Sequence, residues 1–120
     1  MSETIPPWLQ EQLAKYEQLR QTLQSVLAQK QQLEAERTDL ERAMEEIGKS
    51  AADATVYKFA GPLMVKANRD DVSKDLAERK ELTATRVTVL AKQEERLRAN
   101  MQEVQNRITE ALKPKQPPGA

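Results

Sequence analysis

The sequence predicts a mainly α-helical fold, a long antiparallel two-helix coiled coil with a central β-hairpin. Neither Gly nor Pro occurs from Trp8 to Ile47 or from Asp71 to Leu112, and apolar residues recur every seven positions in both segments. Between them lies a short segment rich in β-branched and aromatic residues. As a continuous helix at ~1.5 Å per residue, each long segment would extend roughly 60 Å, which exceeds the diameter of a small domain.

Composition favours this class over a compact globule. The chain has 120 residues, of which 38% are apolar but only 3% aromatic, so large rings contribute little buried area. The charged fraction of 32% exceeds the roughly 25% usual in globular domains. Since 19 Lys and Arg residues balance 19 Asp and Glu residues, an electrostatic nucleic-acid or anionic-membrane partner is not expected.

Each long segment carries two apolar tracks of period seven. In the first segment the tracks are Leu19, Val26, Leu33, Leu40 and Ile47, and Leu9, Tyr16, Leu23, Lys30, Arg37 and Met44. In the second they are Leu76, Thr83, Leu90, Leu97, Val104 and Ala111, and Lys80, Val87, Glu94, Met101 and Ile108. Such a sustained repeat is the a/d seam of a left-handed coiled coil, and we favour it over an ordinary amphipathic bundle helix.

Charged residues interrupt these tracks at Lys30, Arg37, Lys80 and Glu94. They either loosen the coiled coil or extend their charged ends to solvent and fix the helix register. We favour the second, structural interpretation.

Helix-breaking residues set the expected boundaries of a single domain over residues 1–120. We expect a first helix over about 7–48, a hairpin over about 54–67, a second helix over about 70–112 and a disordered tail over 113–120.

Residue types at these boundaries have specific expected roles. Pro7 suits a first helical turn, and Gly48 suits the position just after a helix. Asp70 or Asp71 is expected to cap the second helix, and Pro114 disfavours helix at the residue before it.

The hairpin prediction depends on two short β-rich runs, Thr55–Phe59 and Leu63–Lys66, separated by Ala60-Gly61-Pro62. Alternation places Val56 on one face, with Tyr57 and Phe59 on the other. A hairpin this short is marginal alone and its edges are unpaired, so other subunits are the economical source of partner strands. The competing interpretation is a local cap on the closed end of the helical pair.

If the chain folds back symmetrically, facing positions sum to about 120, which sets Leu40 near Lys80 and Leu23 near Leu97. Near the chain ends there are then more apolar residues than a seam between two helices can bury. We call these residues the tip set: Ile5, Trp8, Leu9, Leu13, Met101, Val104, Ile108 and Leu112.

An exposed apolar patch at splayed ends is typical of a protein-binding site, and Met suits adaptable recognition. For Leu9, Tyr16, Val104 and Ile108 the seam is the favoured role. For Trp8, Leu13 and Leu112 contact with nonnative client chains is favoured.

Several classes of site are not expected. The chain has no Cys and no His, which removes disulfides, thiolate metal sites and the usual general base, so we expect no enzyme, no metal and no cofactor. Asp53, Asp70 and Asp71 lack the spacing of a calcium loop. No charge-free run is long enough to span a bilayer and no signal peptide is evident, so we expect a cytoplasmic protein without a membrane partner.

The hairpin segment carries a specific resemblance. Val56-Tyr57-Lys58-Phe59-Ala60-Gly61, followed by Leu63-Met64-Val65, lies between two heptad helices, with Ile5-Pro6-Pro7 at the start and a Gln-rich stretch through Gln29-Lys30-Gln31-Gln32. Over nearly its whole length the chain resembles a prefoldin β subunit of the archaeal kind, which has one hairpin where α subunits have two. Pro62 departs from that pattern and removes a donor at the turn.

The resemblance implies a hexamer of two α and four β subunits, in which the hairpins form inter-subunit β-barrels. The expected oligomerisation residues are Val56, Tyr57, Phe59, Gly61, Leu63, Met64 and Val65. The resemblance further implies that the distal tips hold unfolded proteins without ATP and deliver them to a group II chaperonin. The alternative function is a structural coiled-coil adaptor that tethers specific folded partners.

Overall fold

A computed structural model describes residues 5–114 and contains two long helices and two strands. Helix α1 spans Pro7–Lys49, strand β1 Val56–Ala60, strand β2 Leu63–Ala67 and helix α2 Arg69–Leu112. The predicted fold class, two long helices with a central antiparallel hairpin, is confirmed. Residues 115–120 of the predicted disordered tail lie outside the described residues.

The chain divides into two compact units, which are described separately. The hairpin unit is Gln29–Val89, and it contains the strands and the adjoining parts of both helices. The terminal unit consists, within the described residues, of 5–28 and 90–114.

The two strands pair antiparallel from Val56 opposite Ala67 to Ala60 opposite Leu63. This register leaves Gly61 and Pro62 as a two-residue turn, and Gly61 has a φ of +59°. Pro fixes a negative φ at the second position, so the turn matches type II′, which requires a positive φ only at the first. Gly61 therefore allows the tight turn that the flanking strands require.

Helix α2 begins with an Asn cap. The Asn68 side-chain Oδ1 accepts hydrogen bonds from the backbone N–H groups of Asp70, at 2.8 Å, and Asp71, at 3.3 Å. The prediction that Asp70 or Asp71 caps the helix is wrong, because both lie inside its first turn. There their carboxylates complement the positive end of the helix dipole.

Helix α1 ends one residue later than predicted, and Gly48 lies inside it. The prediction that Gly48 follows the helix in a left-handed conformation is wrong, since among residues 5–114 only Gly61 has a positive φ. Ser50 terminates the helix instead. Its backbone N–H and its hydroxyl both donate hydrogen bonds to the Ile47 carbonyl, at 3.2 and 2.6 Å. Because Ser50 satisfies that carbonyl, the helix end needs no left-handed glycine.

The predicted seam residues are the least exposed in both units. In the hairpin unit Leu40, Thr83 and Val87 are buried, and in the terminal unit Leu23, Val26, Leu90 and Val104 are buried. Every other predicted track position is half-buried, except Ala111, which is exposed near the end of α2. The period-seven tracks therefore mark the buried stripe of each helix.

Charged residues on the tracks of the hairpin unit keep their ends at the surface. Arg37 pairs with Glu34 at 3.0 Å and approaches Glu41 at 3.9 Å, and the Lys80 Nζ lies 3.7 Å from a Glu41 carboxylate oxygen. Their side chains are only partly buried, so these pairs add little stability. The contact from Lys80 to Glu41 joins α2 to α1, which supports the register role favoured for these residues.

Gln12 is a polar residue within the apolar stripe of the terminal unit. It lies seven positions before Leu19, on the same track, and is half-buried. Its side-chain Oε1 is buried and has no hydrogen-bond partner. An acceptor buried without a donor costs about 1–3 kcal/mol, so Gln12 weakens the seam near the exposed residues of the tip set.

We expect Asn68→Ala to lower the free energy of unfolding by about 1 kcal/mol, because two N–H groups at the start of α2 lose their acceptor. Asn100→Ala is the control, since Asn100 is exposed within α2 and Ala has the higher helix propensity. Urea denaturation followed by circular dichroism measures both. Equal effects of the two substitutions would contradict the assigned cap.

Gln12→Leu is expected to raise the free energy of unfolding by about 1–3 kcal/mol, because it replaces an unpaired buried acceptor with an apolar side chain on the seam. The same change at the exposed Gln24 is the control and should leave stability nearly unchanged. Thermal denaturation of the three proteins makes the comparison. A Gln12→Leu protein less stable than wild type would show that the acceptor is satisfied in solution.

Candidate functional site

The hairpin presents large apolar side chains to solvent. Phe59 is 75% exposed and Tyr57 57% exposed, and both lie on the same strand face as Met64. On the opposite face, Leu63 and Val65 are also exposed. Among the predicted oligomerisation residues only Val56 is half-buried. Two apolar faces in water are unusual for a folded hairpin and indicate a surface that another protein covers.

Both strands also have unpaired edges. β1 pairs with β2, and the described part of the chain, residues 5–114, contains no other strand. The outer edge of each strand therefore presents backbone N–H and C=O groups that a further strand could pair with. Chemically, the hairpin can add to a sheet by backbone hydrogen bonds while its side chains pack on both faces.

A groove of about 820 Å³ lies within the hairpin unit, between the hairpin and the adjoining helix ends. Tyr57 and Phe59 line one side, with Ile47 of α1 and Val72 and Leu76 of α2 on the other. A local cap would need these aromatic rings packed on the helices. Their exposure therefore disfavours the cap interpretation.

The tip set divides by burial. Trp8 is 45% exposed and Leu112 is 63% exposed, and Ile5 and Leu13 are exposed as well. Leu9, Met101 and Ile108 are half-buried on the stripe. Val104 is only 2% exposed, which places it in the seam and not on a free surface. Within the described residues, the structure thus leaves Ile5, Trp8, Leu13 and Leu112 as the exposed large apolar side chains of the terminal unit.

Several charged groups in the terminal unit form ion pairs along their own helix. Arg107 bonds Glu103 at 2.7 Å and Arg98 bonds Glu94 at 3.0 Å, each four residues apart. Hydrogen bonds from the Arg20 guanidinium lower the pKa of the exposed Glu17 carboxyl. These are ion pairs along a helix, mostly exposed although Glu94 is only 19% exposed, and they add little stability.

The described residues form neither a metal site nor a membrane-spanning helix. Between residues 5 and 114, no three carboxylates come close enough together to hold a metal ion. Within the same range, neither helix contains a stretch apolar enough to cross a membrane.

Three features of the sites were not predicted from the sequence. Gln12 could have been found by extending the track of Leu19 back by seven residues. Asn68 could have been found as an Asn directly before the acidic pair that opens α2. The role of Arg69 could not have been found from the sequence, because its side chain bonds Ile47 and Ser50, which are 22 and 19 residues away along the chain.

The family model of the prefoldin subunit matches residues 10–115 of this chain. A prefoldin subunit beta of Saccharolobus islandicus strain L.S.2.15 is 40% identical over 119 residues, which cover 99% of this chain and 94% of that protein. A prefoldin subunit beta of Archaeoglobus fulgidus is 40% identical over 110 residues, covering 92% of this chain and 95% of that protein.

The solved structures include a similar fold. The crystal structure of the prefoldin beta subunit from Thermococcus strain KS-1 superposes with a TM-score of 0.87 at 36% identity, covering 95% of this chain and 100% of that one. The resemblance stated from the sequence is confirmed. With its heptad helices, exposed hairpin and match over residues 10–115, this chain belongs to the prefoldin subunit family, whose members are chaperones that act in protein folding.

Proposed function

We propose that this chain is the β-type subunit of an ATP-independent holdase, which assembles through its hairpin and holds unfolded client proteins on exposed apolar residues of the tip set. The observation that carries this proposal is the grouping of exposed large apolar side chains on the hairpin and in the terminal unit, next to helices whose stripes are buried; Leu82 and Val89 of α2 are exposed outside these two groups.

Assembly through the hairpin follows from its two unsatisfied requirements. The strand edges need backbone partners, and Tyr57, Phe59 and Leu63 need apolar cover. Strands from other prefoldin subunits meet both needs at once when the sheet closes into a barrel, because closure removes the exposed edges. We propose α-type subunits as partners, in a hexamer of two α and four β subunits.

Client binding follows from the apolar residues that the seam does not use. Trp8 and Leu112 offer a large ring and a flexible aliphatic group, which unfolded chains contact without a defined sequence. Each contact is weak, but several copies in one assembly raise the effective concentration for a long client. Such binding needs no nucleotide, because transfer of apolar surface from water supplies the free energy.

The proposed function also includes a cellular location and a downstream partner. The subunit acts in the cytoplasm, passes its clients to a group II chaperonin and performs no catalysis. Reversible apolar contacts suit this sequence of events, because a client held weakly at several points can leave one point at a time.

The first test targets the terminal unit. We expect Trp8→Ser combined with Leu112→Ser to weaken client binding about tenfold, because two exposed apolar contacts are lost. The measurement is suppression of light scattering by several unrelated denatured proteins, without nucleotide. Leu82→Ser combined with Val89→Ser is the matched control, since both residues are exposed apolar side chains of α2 in the hairpin unit.

The control protein should suppress aggregation like wild type. Equal suppression by all three proteins would remove the tip set from the proposal. A wild-type chain that binds one folded partner and suppresses no aggregation would instead favour the adaptor function.

The second test targets the hairpin. Tyr57→Ser combined with Phe59→Ser should release monomers or small oligomers, because the apolar surface that other subunits cover is lost. Light scattering coupled to size exclusion gives the mass of the chain, alone and mixed with an α-type prefoldin subunit. Circular dichroism confirms that the helices persist. An undiminished mass in both samples would contradict assembly through the hairpin.

A further inference from the structure

We propose that Arg69 is a positioning residue for assembly: its side chain fixes the direction of the hairpin relative to the ends of α1 and α2. This inference rests on the proposed assembly through the hairpin and adds the residue that presents the hairpin to its partners. The contact joins the chain segment that enters the hairpin to the one that leaves it.

The geometry is a shared set of hydrogen bonds at the end of α1. The Arg69 Nε donates to the Ile47 carbonyl oxygen at 3.2 Å and to the Ser50 hydroxyl at 3.0 Å. The Ser50 hydroxyl donates in turn to the same carbonyl at 2.6 Å. The Arg69 side chain is 25% exposed, so these bonds are partly shielded from competing water.

Electrostatics favours this placement of the guanidinium. The last carbonyls of α1 form the negative end of the helix dipole, and a cation there is stabilising. Arg69 is itself the first residue of α2, where a positive charge is unfavourable. Asp70 and Asp71 offset that cost, and an Asp70 carboxylate oxygen lies 3.7 Å from the guanidinium.

The two connections to the hairpin differ in length. Only Asn68 separates β2 from α2, so the direction of β2 is tied to α2 directly. β1 is separated from α1 by residues 50–55, where the backbone N–H of Ala54 bonds the Ala51 carbonyl. The bonds from Arg69 tie the end of α1, through Ile47, and the first residue of this longer connection, Ser50, to the start of α2. Since Tyr57 and Phe59 are mostly exposed, packing on the helices contributes little to the direction of the hairpin.

A simple cap on α1 would stabilise the helix without affecting hairpin direction, so the test needs a readout of direction. The chain has no Cys, which allows clean attachment of two nitroxide labels at Lys58→Cys on β1 and Glu78→Cys on α2. Both positions are exposed. Pulsed electron paramagnetic resonance then gives the distribution of distances between hairpin and helix.

We compare Arg69→Ala, Arg69→Lys and Ser50→Ala with the control Arg107→Ala, which removes an exposed Arg paired only along its own helix. Arg69→Ala should broaden the distance distribution at least twofold. It should also weaken assembly, alone or with an α-type subunit, by about tenfold, which is about 1.4 kcal/mol. Ser50→Ala should broaden the distribution and weaken assembly less than Arg69→Ala does. Arg69→Lys should retain part of the wild-type behaviour, because it keeps the cation.

The outcomes separate this inference from the proposed function. An unchanged distance distribution or unchanged assembly in Arg69→Ala, with assembly lost in the Tyr57 and Phe59 double variant, overturns the positioning role and leaves hairpin assembly standing. Arg107→Ala behaving like Arg69→Ala would also overturn it. If neither the Arg69 nor the aromatic variants alter assembly, both the inference and hairpin assembly fail.

Discussion

Burial of a narrow apolar stripe along two long helices is the constraint on which the rest of the structure depends. A seam of period seven uses mainly Leu, Val and Ile, with polar and charged residues between. Large rings are therefore not needed along most of its length, and three of the four aromatic residues are exposed: Trp8, Tyr57 and Phe59. These are the rings that the proposed function places in contact with other proteins.

The hairpin connects the two helices and also exposes unpaired strand edges. It connects the end of α1 to the start of α2 with a two-residue turn that Gly61 permits. It also leaves two strands with open edges and exposed apolar faces, which residues 5–114 do not cover. The proposed assembly through the hairpin would cover both. In the terminal unit, the unpaired Gln12 acceptor weakens the stripe close to the accessible apolar residues.

The sequence predicted those features that depend on local pattern. The tracks of period seven identified buried Leu23, Leu40 and Val87, and the β-rich runs around Gly61 identified the hairpin. Hydrogen bonds of individual polar side chains were harder to predict. Gly48 was misassigned because Ser50 terminates α1, and Arg69 was missed because its partners are distant in sequence. Position on or off the seam also divided the tip set, since Val104 is buried while Trp8, Leu13 and Leu112 are exposed.

The exposed hairpin is expected to need other subunits. Native mass spectrometry of the purified 13.6 kDa chain, alone and with an α-type prefoldin subunit, is the sharpest test of this claim. Hydrogen exchange of the backbone amides of β1 and β2 in the same samples shows whether the strand edges become paired. We predict defined oligomers and slowed exchange in both strands upon assembly. A chain that stays monomeric in both samples, with both strands fully protected, would contradict the claim.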